Sequence, residues 1–199
     1  MSKGLLIVLF SSHVYIFGRI MTHHPHYIIT GPPSSGKTTL IKSLQDLNYK
    51  CYPEMARLVI QNNIKNDVDC FPWNNTLDFS HQVFLEISNL LSSINTDFCF
   101  FDRSLVDIIA YMDISKISRN KIYINAIKTS SYNKNVFFLP YWEDIYTIDL
   151  QRRETKEQAK LIEKNLRLIY NELGFNLIDV PMSVLKERVD FIIKNVQSF

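Results

Sequence analysis

The chain has 199 residues, 46% of them apolar and 13% aromatic, enough to bury the core of one domain and too few to suggest a second. Lysine and arginine number 22 against 20 acidic residues, for a net charge of +2, so no whole-surface field argues for nucleic acid or an anionic membrane. The cysteines, Cys51, Cys70 and Cys99, are odd in number and lack metal-ligand spacing, so they read as buried or spare thiols of a reducing compartment, and the expected location is cytoplasmic.

Residues 1–25 are read as an N-terminal extension to a single domain over residues 26–199. Lys3 precedes the apolar run Leu5 to Phe10, and Val14 to Phe17 follows, which has the outline of a weak export signal. No small-residue cleavage site follows, however, and His13 and Arg19 interrupt the apolar stretch. A start at Met21, a dispensable amphipathic extension and an interfacial anchor are the alternatives, and stable membrane insertion is not expected. His23, His24 and His26 have no cysteine or carboxylate at ligand spacing, so a solvated tail is preferred to a metal site.

The first strand is expected at Tyr27 to Thr30. Gly31-Pro32-Pro33-Ser34-Ser35-Gly36-Lys37-Thr38 follows with the spacing G-x-x-x-x-G-K-[ST], and Thr39 to Leu44 leads out at helical spacing. A phosphate chain needs many donors brought close without side-chain bulk. Glycines allow the tight turn, loop amides supply donors, and the helix N-terminus adds partial positive charge. Residues Gly31 to Thr39 are therefore the expected binding loop for a nucleoside triphosphate, ATP or GTP. Lys37 would reach the β- and γ-phosphates, and the Thr38 hydroxyl would ligate Mg²⁺.

Further strands are expected at Tyr49 to Tyr52, Asp97 to Asp102, Asn135 to Pro140 and Phe175 to Val180, alternating with stretches of helical period. Pro53 suits the first turn of a helix carrying Glu54, Arg57, Leu58 and Ile60, after which Asn62 to Asn75 is expected as a loop. One apolar face runs through Leu77 to Ile94. Ser104 could cap the helix after the third strand. Glu154 to Leu173 is expected as a helix capped by Gly174, and Val184 to Val196 as another that starts after Ser183 and turns Val184, Val189, Ile192, Ile193 and Val196 inward. Phe71-Pro72-Trp73 and Tyr141-Trp142 could stack on a planar ring or form local core. Asp102 ends an apolar run that reads as a central strand, which places its carboxylate at the ligand-binding edge of a parallel sheet.

The ordered set formed by the phosphate loop, Pro53-Glu54-Met55-Ala56-Arg57, Phe101-Asp102-Arg103-Ser104 with Asp107, Phe138-Leu139-Pro140, Arg152-Arg153-Glu154-Thr155 and Val180-Pro181 with Arg188-Val189 resembles the small AAA-like ATPase family. That family is grouped with the ribosylnicotinamide kinase domain of the bifunctional nicotinamide-nucleotide regulator. More distantly, the layout is similar to thymidylate and deoxyribonucleoside kinases. The resemblance implies a three-layer α/β P-loop NTPase domain with a mainly parallel five-stranded sheet, nucleoside-kinase-like.

The same resemblance implies that Lys37, Glu54, Asp102, Arg103, Arg152 and Arg153 are catalytic. Glu54 would accept the proton of an attacking hydroxyl or hold ribose hydroxyls, or else only complement its helix dipole. Asp102 would hold Mg²⁺ with Thr38 or cap a helix, and Arg103 would clamp the acceptor or be structural through Asp107. Arg57 would pair with Glu54 or bind an acceptor phosphate. Arg152 and Arg153 would form a lid over the triphosphate or a solvated helix start. Asp102 is followed by Arg rather than Glu, a departure from motor-type ATPases. The expected activity is Mg²⁺-dependent phosphoryl transfer to a small nucleoside-like acceptor, and the alternative is a slow nucleotide-dependent switch.

Overall fold

The computed structural model describes residues 14–16, 19–21, 26–95, 98–146 and 154–198. Ahead of the main sheet, β1 (Val14–Ile16) and β2 (Arg19–Met21) pair antiparallel as a two-stranded sheet of their own. The domain then runs β3 (His26–Thr30), α1 (Lys37–Asp46), β4 (Cys51–Tyr52), α2 (Met55–Lys65), α3 (Thr76–Ser93), β5 (Cys99–Asp102), α4 (Leu105–Ile114), α5 (Lys121–Thr129), β6 (Asn135–Phe138), α6 (Lys156–Glu172), β7 (Asn176–Asp179) and α7 (Leu185–Ser198). A 3-10 turn, Glu143–Ile145, lies between β6 and α6.

The five domain strands form one sheet in the order β4-β5-β3-β6-β7, with every pairing parallel. The most apolar runs take the centre, because a parallel sheet covered on both faces has no water-facing side to alternate with. β3 and β5 are buried throughout, whereas edge strand β7 is only partly covered. Successive side chains point to opposite faces. Tyr27, Ile29, Phe100 and Phe137 pack with Leu40, Leu44 and Ile192 of α1 and α7, while Ile28, Phe101, Val136 and Phe138 pack with α2 through α6. The result is the expected three-layer α/β architecture. The chain fills one half of the sheet with β4 and β5, then crosses β3 to β6. That crossing leaves a crevice at the carboxyl end of β3, where residues 31–36 lie.

Gly174 ends α6 as expected, at φ +76°. The Phe175 N–H donates to Tyr170 O at 3.0 Å and the Gly174 N–H to Asn171 O at 3.1 Å, a Schellman closure with the Tyr170 and Phe175 rings in edge contact beneath it.

Several local expectations change. His26 begins β3 instead of a tail; it is buried, with Nδ1 2.6 Å from Ser131 Oγ. No group of three or more His, Cys, Asp or Glu able to hold a metal occurs among the described residues. α2 continues to Lys65, into the expected loop. Periodicity assigns no helix to residues 121–129, where α5 forms with Asn120 capping Ile122 N. α7 starts at Leu185, and Val184 points outward at 65% exposure. All three cysteines are free and buried. No helix among the described residues is long and apolar enough to cross a membrane.

Candidate active site

The phosphate loop is shaped by two glycines in conformations that side chains rarely adopt, Gly31 at φ +150° and Gly36 at φ +82°. Between them, Ser34 is also left-handed, at φ +60°. A Cβ on Gly31 would lie 2.1 Å from the Leu139 carbonyl oxygen. The Leu139 N–H donates to Thr30 O at 2.8 Å, so that oxygen belongs to a rigid continuation of the β3–β6 ladder. Gly31→Ala is expected to cost at least about 1–3 kcal/mol, the usual range for overpacking. A thermal melt within 1 °C of the parent would show that this close approach is absent in solution.

Gly36 caps α1, and Lys37 is its first residue. Lys37 Nζ donates to Gly31 O at 2.9 Å, Pro32 O at 2.7 Å and Ser35 Oγ at 3.2 Å. Burial, reinforced by the Arg103 charge, pulls its pKa down to about 7 despite the nearby carboxylates. Thr38 and Thr39 are exposed on the first turn of α1.

The ends of β4 and β5 bring the next group together. Glu54 is the residue before α2, yet its side chain makes no helix-capping bond. Its Oε2 accepts from Arg57 Nε at 2.9 Å, and its Oε1 accepts from Arg103 Nε at 2.9 Å. The contact with Arg103 spans 49 residues, so the carboxylate is directed into the site as well as toward its own helix. Burial alone would raise its pKa, but the Arg103, Lys37 and Arg57 charges outweigh that and hold it below the ordinary range. Asp102 ends β5 as expected, with Oδ1 buried and unbonded. Burial and the Glu54 charge push its pKa up to about 6 against the pull of Lys37.

Arg103 follows at φ +69°, a left-handed backbone costly for a residue with a Cβ. Its side chain is overdetermined. Besides Glu54, its Nη1 donates to Gly31 O and Asp107 Oδ1, each at 3.3 Å, and its guanidinium carbon lies 5.6 Å from the centre of the Tyr111 ring. Asp107 is the hub. Its Oδ1 also accepts from Thr30 Oγ1 at 2.5 Å, and its Oδ2 accepts from Ser104 N at 2.9 Å, Ser104 Oγ at 3.2 Å and Tyr170 OH at 2.6 Å. Ser104 and Asp107 thereby form the capping box of α4. The sequence names Ser104 as a cap and pairs Arg103 with Asp107, but carries no signal for Thr30 and Tyr170, which arrive from β3 and α6.

Lys37, Glu54, Asp102, Arg103 and Asp107 line a cavity of about 560 Å³, whose walls include Ile60, Phe79, Val83, Ile87, Ile108 and Tyr111. The size and the apolar lining with a few convergent polar groups suit a small organic ligand. Phe71 and Trp73 stack on each other at 5.0 Å, and Trp73 lines the cavity while 57% exposed; it is neither core nor remote from the site. Tyr141 and Trp142 do not line this cavity. Arg152 and Arg153 lie outside the described residues; Glu154, the next residue, does line the cavity.

A search of curated proteins returns no match. Among solved structures, deoxyadenosine kinase from M. mycoides superposes with TM-score 0.64 at 16% identity, covering 87% of this chain and 100% of that one. NadR protein in complex with NR gives TM-score 0.70 at 15% identity over 87% of this chain; the chain spans about half of that protein, 51%. Thymidylate kinase from Candida albicans gives TM-score 0.51 at 17% identity, covering 87% and 91% of the two chains. At such identities the likeness is one of fold, that of the P-loop nucleoside and nucleotide kinases. The AAA domain family AAA_28 matches residues 26–188, from the first residue of β3 into α7, and the chain belongs to that family.

Proposed function

We propose that the protein is a Mg²⁺-dependent phosphotransferase that moves the γ-phosphoryl group of ATP or GTP to the hydroxyl of a small nucleoside-like acceptor. The observation that carries this is Glu54: a carboxylate fixed by two guanidinium groups at the wall of a cavity that opens on the phosphate loop. A plain nucleotide switch gives no reason for an apolar chamber of this volume beside its phosphate loop. The kinases among the structural neighbours support the same reaction class.

The residues present fit the metal. Thr38 on the exposed first turn of α1 and Asp102 with its unbonded Oδ1 offer hard oxygen donors of the kind Mg²⁺ takes, directly or through water. When bound, the ion neutralises charge on the phosphate oxygens. Lys37 and the loop amides hold the triphosphate, and Glu54 receives the acceptor hydroxyl. Because Arg57 and Arg103 are both engaged with Glu54, an uncharged hydroxyl end is favoured over an acceptor phosphate. In this proposal Arg152 and Arg153 keep the charge-neutralising role that the resemblance implies.

The test is release of nucleoside diphosphate from ATP or GTP under Mg²⁺, with and without a panel of nucleosides and ribosylated vitamins. Acceptor-dependent release with a phosphorylated product is the expected result. Slow basal hydrolysis that no acceptor stimulates would overturn the kinase assignment and favour the switch.

A further inference from the structure

Arg188, early in α7, is 5% exposed and lies against the outer side of the phosphate loop. Its Nη2 donates to Ser35 O at 3.0 Å across 153 residues of sequence, and its guanidinium carbon is 5.7 Å from the centre of the Trp142 ring. Its Nε is buried with no acceptor. No carboxylate pairs with it among the described residues. Burial lowers its pKa, as expected where no anion offsets desolvation. A buried guanidinium with a neutral carbonyl and an aromatic face for company is costly, and such charges are normally paired.

The carbonyl it binds belongs to the Ser35–Gly36 peptide. In a trans peptide the C=O and the N–H point in opposite directions. A cation on the Ser35 oxygen therefore leaves the Gly36 N–H directed away from Arg188, toward the inner side of the loop. Hydrogen bonds polarise one another along a chain, so the guanidinium makes that N–H a stronger donor. A Cβ on Gly36 would lie 2.7 Å from Arg188 Nη1, so the guanidinium is seated directly behind the turn that caps α1.

We propose that Arg188 is a positioning residue for the polyphosphate: it backs the loop, polarises the Ser35–Gly36 peptide, and finds its balancing negative charge in the bound triphosphate rather than in the protein. The proposal rests on the nucleotide-binding assignment but concerns a residue outside the acceptor cavity, and the two fail differently.

The experiment compares the full chain with Arg188→Met, which fills similar space without charge, and Arg188→Lys, which keeps the charge. Thermal unfolding is measured without nucleotide, and binding of ATP, GTP, their diphosphates and the parent nucleosides is measured under Mg²⁺. Without nucleotide, the Met variant is expected to unfold no earlier than the parent. Its triphosphate affinity is expected to fall by about tenfold or more, in the range for losing a charge-assisted bond, with a smaller loss for diphosphates and none for nucleosides. The Lys variant is expected to recover part of the loss. A Met variant that unfolds earlier, or does not fold, shows that Arg188 supports the empty protein and overturns the proposal, as does unchanged triphosphate affinity. If the parent itself binds no triphosphate, the nucleotide assignment falls as well.

Discussion

Replacing Glu54 with Gln is expected to slow phosphoryl transfer by about 10²–10⁴-fold, the range for loss of a positioned acid–base group, while triphosphate affinity stays close to that of the parent. Each carboxylate oxygen is held by one guanidinium N–H and has a second lone pair left over, so Glu54 can accept a hydroxyl without releasing either arginine. The neighbouring cations keep it ionised at neutral pH, which makes it an acceptor but only a weak base. That suits a loose phosphoryl-transfer transition state, in which aiming the nucleophile matters more than deprotonating it early. The Gln amide keeps the shape, but it loses the charge and turns one acceptor into a donor facing an arginine. Single-turnover rates under saturating triphosphate and acceptor, alongside titration of the nucleotide alone, separate the effects. A variant with normal turnover and lowered melting temperature would reduce Glu54 to a structural partner of Arg103.

How much of this could be read from the chain depended on sequence distance. The phosphate loop is legible because a tight backbone path around phosphate restricts residues within eight consecutive positions, and Gly31 and Gly36 adopt the conformations that demand glycine. Asp102 is legible as a position because an unbroken apolar run marks a central strand; β5 ends on it, and its carboxylate lines the same cavity as the phosphate loop. Glu54 was legible as a position, but its contact with Arg103 over Arg57 alone depends on how β4 and β5 align. The joining of Thr30, Asp107 and Tyr170 lies beyond local pattern, because those contacts span 77 and 63 residues and tyrosine at an inward helical position reads as ordinary core. Arg188 stands out in the sequence as part of the Val180-Pro181 and Arg188-Val189 motif, but its contact with Ser35 O spans 153 residues and is hidden for the same reason: on α7 it looks like a helix-surface cation until the helix is docked on the loop. Val184 fails differently. It keeps the apolar period of α7 but lies one residue before the first turn, where the period no longer governs direction.

The hub carboxylate should be the most expensive polar side chain in the domain to alter. Asp107→Asn is expected to cost about 3–5 kcal/mol, the range for breaking a buried ion pair by removing one partner, and at roughly 2–4 °C per kcal/mol for a chain of this size the melting point should fall by about 6–20 °C. The amide is isosteric, yet it must turn its NH₂ group toward either Thr30 Oγ1 and Arg103 or Ser104 N and Tyr170 OH, and most of these are donors already aimed at that oxygen. Turnover should fall too, because the left-handed backbone at Arg103 persists only while its surroundings overdetermine it. Tyr170→Phe removes a single donor and leaves the carboxylate four others, so its cost should be nearer 1 kcal/mol. The ratio of the two losses is the informative quantity. If Asp107→Asn costs no more than Tyr170→Phe, then Glu54, Gly31 O and the Tyr111 ring hold Arg103 in place without it, and Asp107 is only the cap of α4.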